Sequence, residues 1–185
     1  MKMFLLALAC LALSGPGKTF HSQEEALVLA FGKAEVQRTQ HYWTKTERAV
    51  LGELAGAKKV RGTHAEYQSK TMQGKIVVGR SVWFDTRMVR SKPQTIMLII
   101  DAEQRVEELV VCGFDEPLDY KPVARWYKQF EGCQLNDDLQ LKKGIHGVSG
   151  ATLTSRATTA AVREVLAAHA SAHPYVKKKT GTGKK

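Results

Sequence analysis

No Cys-x-x-Cys pair, zinc-ribbon spacing or haem-attachment motif occurs in this sequence. The three cysteines, Cys10, Cys112 and Cys133, are too few and too far apart for a disulfide scaffold or a thiolate metal site. No metal-ligating set is expected. In an exported chain Cys112 and Cys133 could pair, but two buried thiols is the simpler expectation. Long apolar runs are missing too. Phe4 to Leu13 is apolar but too short to cross a bilayer comfortably. No internal repeat is present, and no nucleic-acid recognition module precedes the basic C-terminal residues.

The 185 residues are 43% hydrophobic, enough for one domain with a real core. The formal net charge is +10. Half of that excess sits in Lys177, Lys178, Lys179, Lys184 and Lys185, among Thr and Gly. Residues 173–185 therefore read as a basic, disordered tail. It could touch an anionic membrane surface or an acidic partner; no nucleic-acid partner is expected. Residues 1–14 read as a signal peptide: Lys2 is the basic start, and Ala12-Leu13-Ser14 a small-x-small cleavage site. Export would place the mature domain in the periplasm or on the extracytoplasmic face of a membrane.

Residues 15–62 read as an N-terminal helical extension. Ser22 and Glu25 form a capping box ahead of a helix running to Val36, and a second helix spans Thr46 to Leu54, ended by Gly56. Neither carries an acid–base constellation. Residues 63–172 read as the functional domain. Strands are expected at Thr63–Ser69, Gly74–Phe84, Thr95–Ile100 and Arg105–Cys112. Gly79 suggests a bulge or a close backbone approach. The short Asp101–Gln104 connection makes the last two strands an antiparallel hairpin, which argues against a Rossmann fold. A loop with Glu116-Pro117 and Tyr120 follows, then a short aromatic helix with Trp126, Tyr127 and Phe130, ended by Gly132. From Leu153 the set Ala157, Ala161, Val165, Ala168 marks one face of a long helix that ends before Pro174. The expected fold is α+β: a twisted, mainly antiparallel sheet with helices packed around it.

The most informative stretch is His146 to Arg156. Two glycines and four hydroxyls stand directly ahead of the long helix. Gly147 and Gly150 let the backbone approach a ligand. A helix start offers unpaired amides and a partial positive charge to a phosphate. Ser149, Thr152, Thr154 and Ser155 could add hydrogen bonds, and Arg156 charge. No lysine follows the glycine, so this is not a P-loop. Gly147-Val148-Ser149-Gly150-Ala151 also approximates a nucleophile elbow. A serine hydrolase using Ser149 would then have only His169, His173 and Glu164 downstream to complete it.

Ser149-Gly150-Ala151-Thr152-Leu153-Thr154-Ser155 resembles the flavin-attachment motif of the FMN-binding domain family. That family includes the C subunit of the sodium-translocating NADH:quinone reductase and the G subunit of the Rnf complex. Gly74 to Trp83, Thr95 to Cys112, Glu116-Pro117 and Trp126 to Gly132 fall in the family's order, so the likeness covers roughly residues 63–170. It implies an FMN joined covalently, by a phosphoester, to Thr152, and a flavin transferase as the partner that attaches it. It places Ser149, Gly150, Ala151, Leu153 and Thr154 around the phosphate, Glu116 nearby, and Tyr120 and Trp126 as walls for the ring. It also implies electron transfer with membrane or periplasmic redox proteins, a carrier or subunit more than a stand-alone enzyme, with no catalytic residue of its own. A flavin-free assembly module of a membrane redox complex is the other reading. His146 departs from the motif: the usual target has Asp three residues before the Ser.

Overall fold

The computed structural model describes residues 18–71, 74–77 and 79–174. The signal peptide and nearly all of the basic tail lie outside them. Among the described residues one six-stranded sheet forms, with every strand pairing antiparallel. The strands are β1 (Lys18–Thr19), β2 (Val36–Tyr42), β3 (Thr63–Ser69), β4 (Arg80–Met88), β5 (Pro93–Asp101) and β6 (Val106–Phe114), in the order β1-β6-β5-β4-β3-β2. The helices are α1 (Gln23–Phe31), α2 (Lys45–Ala55), α3 (Ala124–Tyr127) and α4 (Thr152–Ala172).

Strand β5 lies inside the sheet and is covered on both faces. Ile96, Leu98 and Ile100 point to one side, where they join Trp83, Trp126, Phe130, Val162, Val165 and Leu166. Met97 and Ile99 point to the other, with Ala26 and Ala30 of α1. A period-2 backbone with two buried faces explains the unbroken apolar run. Helix α2 lies outside α4, through Leu51, Ala55 and Ala167.

The capping box at Ser22 and Glu25 forms, and so does a second one at Thr44 and Glu47. Helix α1 is shorter than its sequence pattern suggests. Gly32, at φ 62°, stops it, and the chain turns into β2. Residues 15–62 thus hold more than helices, since β2 pairs with β3 and β1 with β6. The alternation in Val36–Tyr42 is polar on both faces, which hides the strand from a hydrophobicity pattern. Gly79 stands just before β4 rather than within a strand. Its φ is 114°, and a Cβ there would lie 3.2 Å from the Ala102 side chain. Cys112 and Cys133 are both free thiols. Cys112 packs on the α1 face of the sheet and Cys133 against the α4 face, so the sheet separates them.

Two adjacent polar residues lock α4 in place. The buried Arg163 guanidinium donates to the carbonyls of Leu54 and Ala55, at the end of α2, and to those of Asn136 and Leu139. Glu164, also buried, accepts from the Arg61 amide at 3.0 Å and from Arg61 Nε at 3.2 Å. It also accepts from Arg87 Nη2 at 3.1 Å, and His64 Nε2 lies 3.2 Å away. Arg61 and Arg87 both bind Asp85 as well. Burial alone would raise the Glu164 carboxyl. The adjacent His64 imidazole, the Arg61-amide hydrogen bond and the charges of Arg87 and Arg61 outweigh it and hold the group well below the usual carboxylate range.

Arg163→Met should lower folding stability by about 3 kcal/mol, because it strips a charged donor from four carbonyls; urea unfolding checks this. The Glu164 carboxyl has a depressed value in the fold. Its stabilisation is complete above the unfolded value of ~4.3 and is lost as pH falls toward the folded one. The melting temperature of the wild type should therefore fall more steeply between about pH 5 and 3 than that of Glu164→Gln.

Candidate functional site

Helix α4 differs from α1 and α2 at its N-terminus. Its cap residue is Ala151, no side chain caps it, and no acid occupies its first turn. The first backbone bond of this helix runs from the Ser155 amide to Ala151 O at 2.9 Å. The amides of Thr152, Leu153 and Thr154 therefore have no acceptor from the helix ladder. A 21-residue helix concentrates positive potential at that end. Gly150, with φ 81° and open space where a Cβ would stand, turns the chain into it. The Thr152 hydroxyl is exposed beside these amides.

A cavity of about 200 Å³ opens here, lined by Val89, Arg90, Glu116, Tyr120, Gly150, Thr152, Leu153 and Thr154. Its size is below the ~300–1,000 Å³ that encloses a whole cofactor. It suits a phosphate and its first substituents, with the remainder of a ligand lying over the surface. Leu153 is 43% exposed and Tyr120 38% exposed, so apolar area is available there. The helical pattern would place Leu153 in the core; instead it faces the cavity.

The structure brings Gly150, Thr152, Leu153, Thr154, Glu116 and Tyr120 to this one place. Ser149 is exposed just before it, and Ala151 is buried as the cap. Two of the hydroxyls expected to serve a phosphate are already used. Thr154 Oγ1 donates to Tyr120 O at 2.6 Å, and Ser155 Oγ to Ala151 O at 3.0 Å. Both residues are buried, so they tie the helix start together rather than face a ligand. Trp126 is also absent from the cavity. Its ring stacks edge-on with Tyr127 and Phe130 in the core, and its Nε1 donates to His146 O at 2.6 Å. Gln129 Oε1 accepts from the His146 amide at 2.9 Å. The chain before the motif is held by the backbone of His146, while its side chain stays exposed.

Glu116 acts on the opposite wall. Its Oε1 accepts from the amides of Arg90 (3.2 Å), Ser91 (2.6 Å) and Lys92 (2.8 Å), all in the β4–β5 turn. The Ser91 and Lys92 amides hold its carboxyl below the usual range, so it stays ionised and is no proton donor. Val89 and Arg90 were not legible as site residues. Only the folded sheet brings that turn against a helix start some sixty residues later.

A hydrolase reading fails on geometry. His169 lies seventeen residues along α4 from Thr152, roughly 26 Å at the helical rise, and His173 further still. Glu164 is engaged by Arg61 and Arg87. Ser149 has neither base nor acid.

The donor set fits a phosphate ester: three amides outside the helix ladder, a glycine approach, an exposed threonine and the exposed Arg90 among the lining residues. No curated protein and no solved structure matches the chain. Residues 90–167 match the family model of the FMN-binding domain. That span takes in Arg90, Glu116, Tyr120 and the whole helix start, so this part of the chain is similar to the FMN-binding domain family, which supports FMN as the cofactor.

Proposed function

We propose that this protein is an extracytoplasmic electron carrier whose FMN is joined through its phosphate to Thr152 Oγ1. The observation that carries this reading is the uncapped start of α4, with an exposed threonine hydroxyl beside three unpaired amides. Helices α1 and α2 each close their N-terminus with a capping box, whereas the longest helix, α4, does not. An outside anion is what such an end accepts.

The bound flavin supplies reversible electron acceptance; the chain's own residues hold and shield it. In attachment by the transferase, the Thr152 oxygen would bond to phosphorus and lose its proton as the phosphorus–oxygen bond to the rest of a flavin dinucleotide donor breaks, with the nucleoside monophosphate as leaving group. The amides of Leu153 and Thr154 and the cation of Arg90 offset the phosphate charge. Tyr120 and Leu153 offer apolar area to the ring. Glu116 keeps the Arg90–Lys92 turn in place through its three amide bonds.

Export by the leader would put the domain with membrane or periplasmic redox partners and a flavin transferase. Among the described residues no helix is long and apolar enough to cross a membrane. Attachment would then rest on residues outside them, or on the basic tail at an anionic surface.

Co-expressed with a flavin transferase, the denatured chain should keep flavin fluorescence and show the mass of one attached FMN. Thr152→Ala should abolish both signals. Thr154→Ala should retain them, because its hydroxyl serves Tyr120 O. If Thr154→Ala loses the flavin and Thr152→Ala keeps it, the attachment site is misplaced. Glu116→Ala should reduce loading several-fold without removing the attachment residue, as judged by the ratio of flavin absorbance to protein.

A further inference from the structure

At the other end of α4 a buried carboxylate is surrounded by imidazoles. Glu66 of β3 is 1% exposed. Its Oε1 lies 2.7 Å from His173 Nε2 and its Oε2 lies 2.9 Å from His41 Nε2. His169, one helical turn before His173, presents its ring to the same space, with ring centroids 4.9 Å apart. One nitrogen from each of His169 and His173 and one Glu66 oxygen lie within 4.8 Å of one another. Among the described residues no arginine or lysine pairs with this carboxylate, unlike Asp85 and Glu164.

We propose that Glu66, His169 and His173 form a binding site for a zinc-class divalent transition-metal ion, which ties the last turn of α4 to β3. Two imidazole nitrogens and one carboxylate oxygen suit zinc and its neighbours. Calcium and magnesium prefer all-oxygen sets, and copper(I) prefers sulfur. His173 is the C-cap residue just past α4, and its amide donates to His169 O at 2.8 Å, which keeps the two histidines one turn apart. Groups that orient the ligands are also present. Ser81 Oγ lies 3.2 Å from His169 Nδ1 and accepts from Trp83 Nε1 at 2.9 Å. With two lone pairs it can accept from His169 as well, which leaves Nε2 of that ring for a metal. His41 holds the second Glu66 oxygen and stacks on Trp43 and Trp83, with centroids at 5.7 and 5.4 Å.

Bonds of ~2.0–2.2 Å in a tetrahedron place ligand atoms roughly 3.3 Å apart. His173 must back away slightly from its 2.7 Å contact with Glu66, and the ion replaces that hydrogen bond. The half-exposed His173 side chain gives both the freedom and the entry path. A solvent molecule would complete the fourth position. The site stands near the far end of α4 from Thr152 and does not depend on the flavin reading.

The test uses the full chain after EDTA treatment and dialysis. Zinc titrated by calorimetry should bind one ion per chain, and zinc should raise the melting temperature. Cobalt(II) in its place should give the intense visible absorption of a tetrahedral site. His173→Ala should weaken zinc binding at least ~10-fold, and His173→Cys, which restores a ligand, should regain it. That pair separates loss of a ligand from loss of fold. His21→Ala should bind as the wild type does. Absence of zinc binding, or equal binding by wild type and His173→Ala, overturns the proposal.

Discussion

The position of α4 rests on two neighbouring charges in its middle. Arg163 and Glu164 stand about 100° apart on the helix and reach in different directions. Arg163 takes up the end of α2 and the 136–139 loop; Glu164 takes up Arg61, Arg87 and His64. An apolar face alone lets a helix slide or rotate by small amounts at little cost. Directed bonds at two azimuths do not. With its middle fixed in rotation and along its axis, the helix has both ends placed: Thr152 beside the β4–β5 turn, and His169 over Glu66.

The two ends then carry opposite chemistry. The N-terminus is left without a cap, so its amides remain available to an anion. Thr154 and Ser155 spend their hydroxyls on Tyr120 O and Ala151 O, which stiffens the start of the helix without filling the space in front of it. Thr152, the first residue of the helix, stays exposed, as does Ser149 just before it. On the facing wall Glu116 gathers three amides of a hairpin turn, a role that resembles a cap transferred from a helix to a loop.

Much of this could be read from the residues. The capping box at Ser22, the antiparallel hairpin around Asp101–Gln104, the extent of α4 and the glycine–hydroxyl stretch before it follow from short-range rules of turns and helix ends. Other features could not. Strand β2 is polar on both faces and shows no period. Trp126 reads like a ring wall, yet it lies in the core and its Nε1 grips the backbone at His146. Ser155 reads like a phosphate donor, but its hydroxyl turns back onto its own helix. Side-chain polarity states what a group can bond, not which acceptor comes nearest.

The sequence by itself determined the local geometry: where α4 starts, that its start would be rich in amides and hydroxyls, and that Thr152 stands at its first position. These depend on residues within one or two turns of each other. The tertiary structure alone decided that Thr154 and Ser155 are buried while Ser149 and Thr152 stay exposed, that Arg90 and Glu116 form the opposite wall, and that Glu66 meets His169 and His173. Those pairings join residues from 26 to 107 positions apart, and only the order of strands in the sheet and the lock on α4 bring them together.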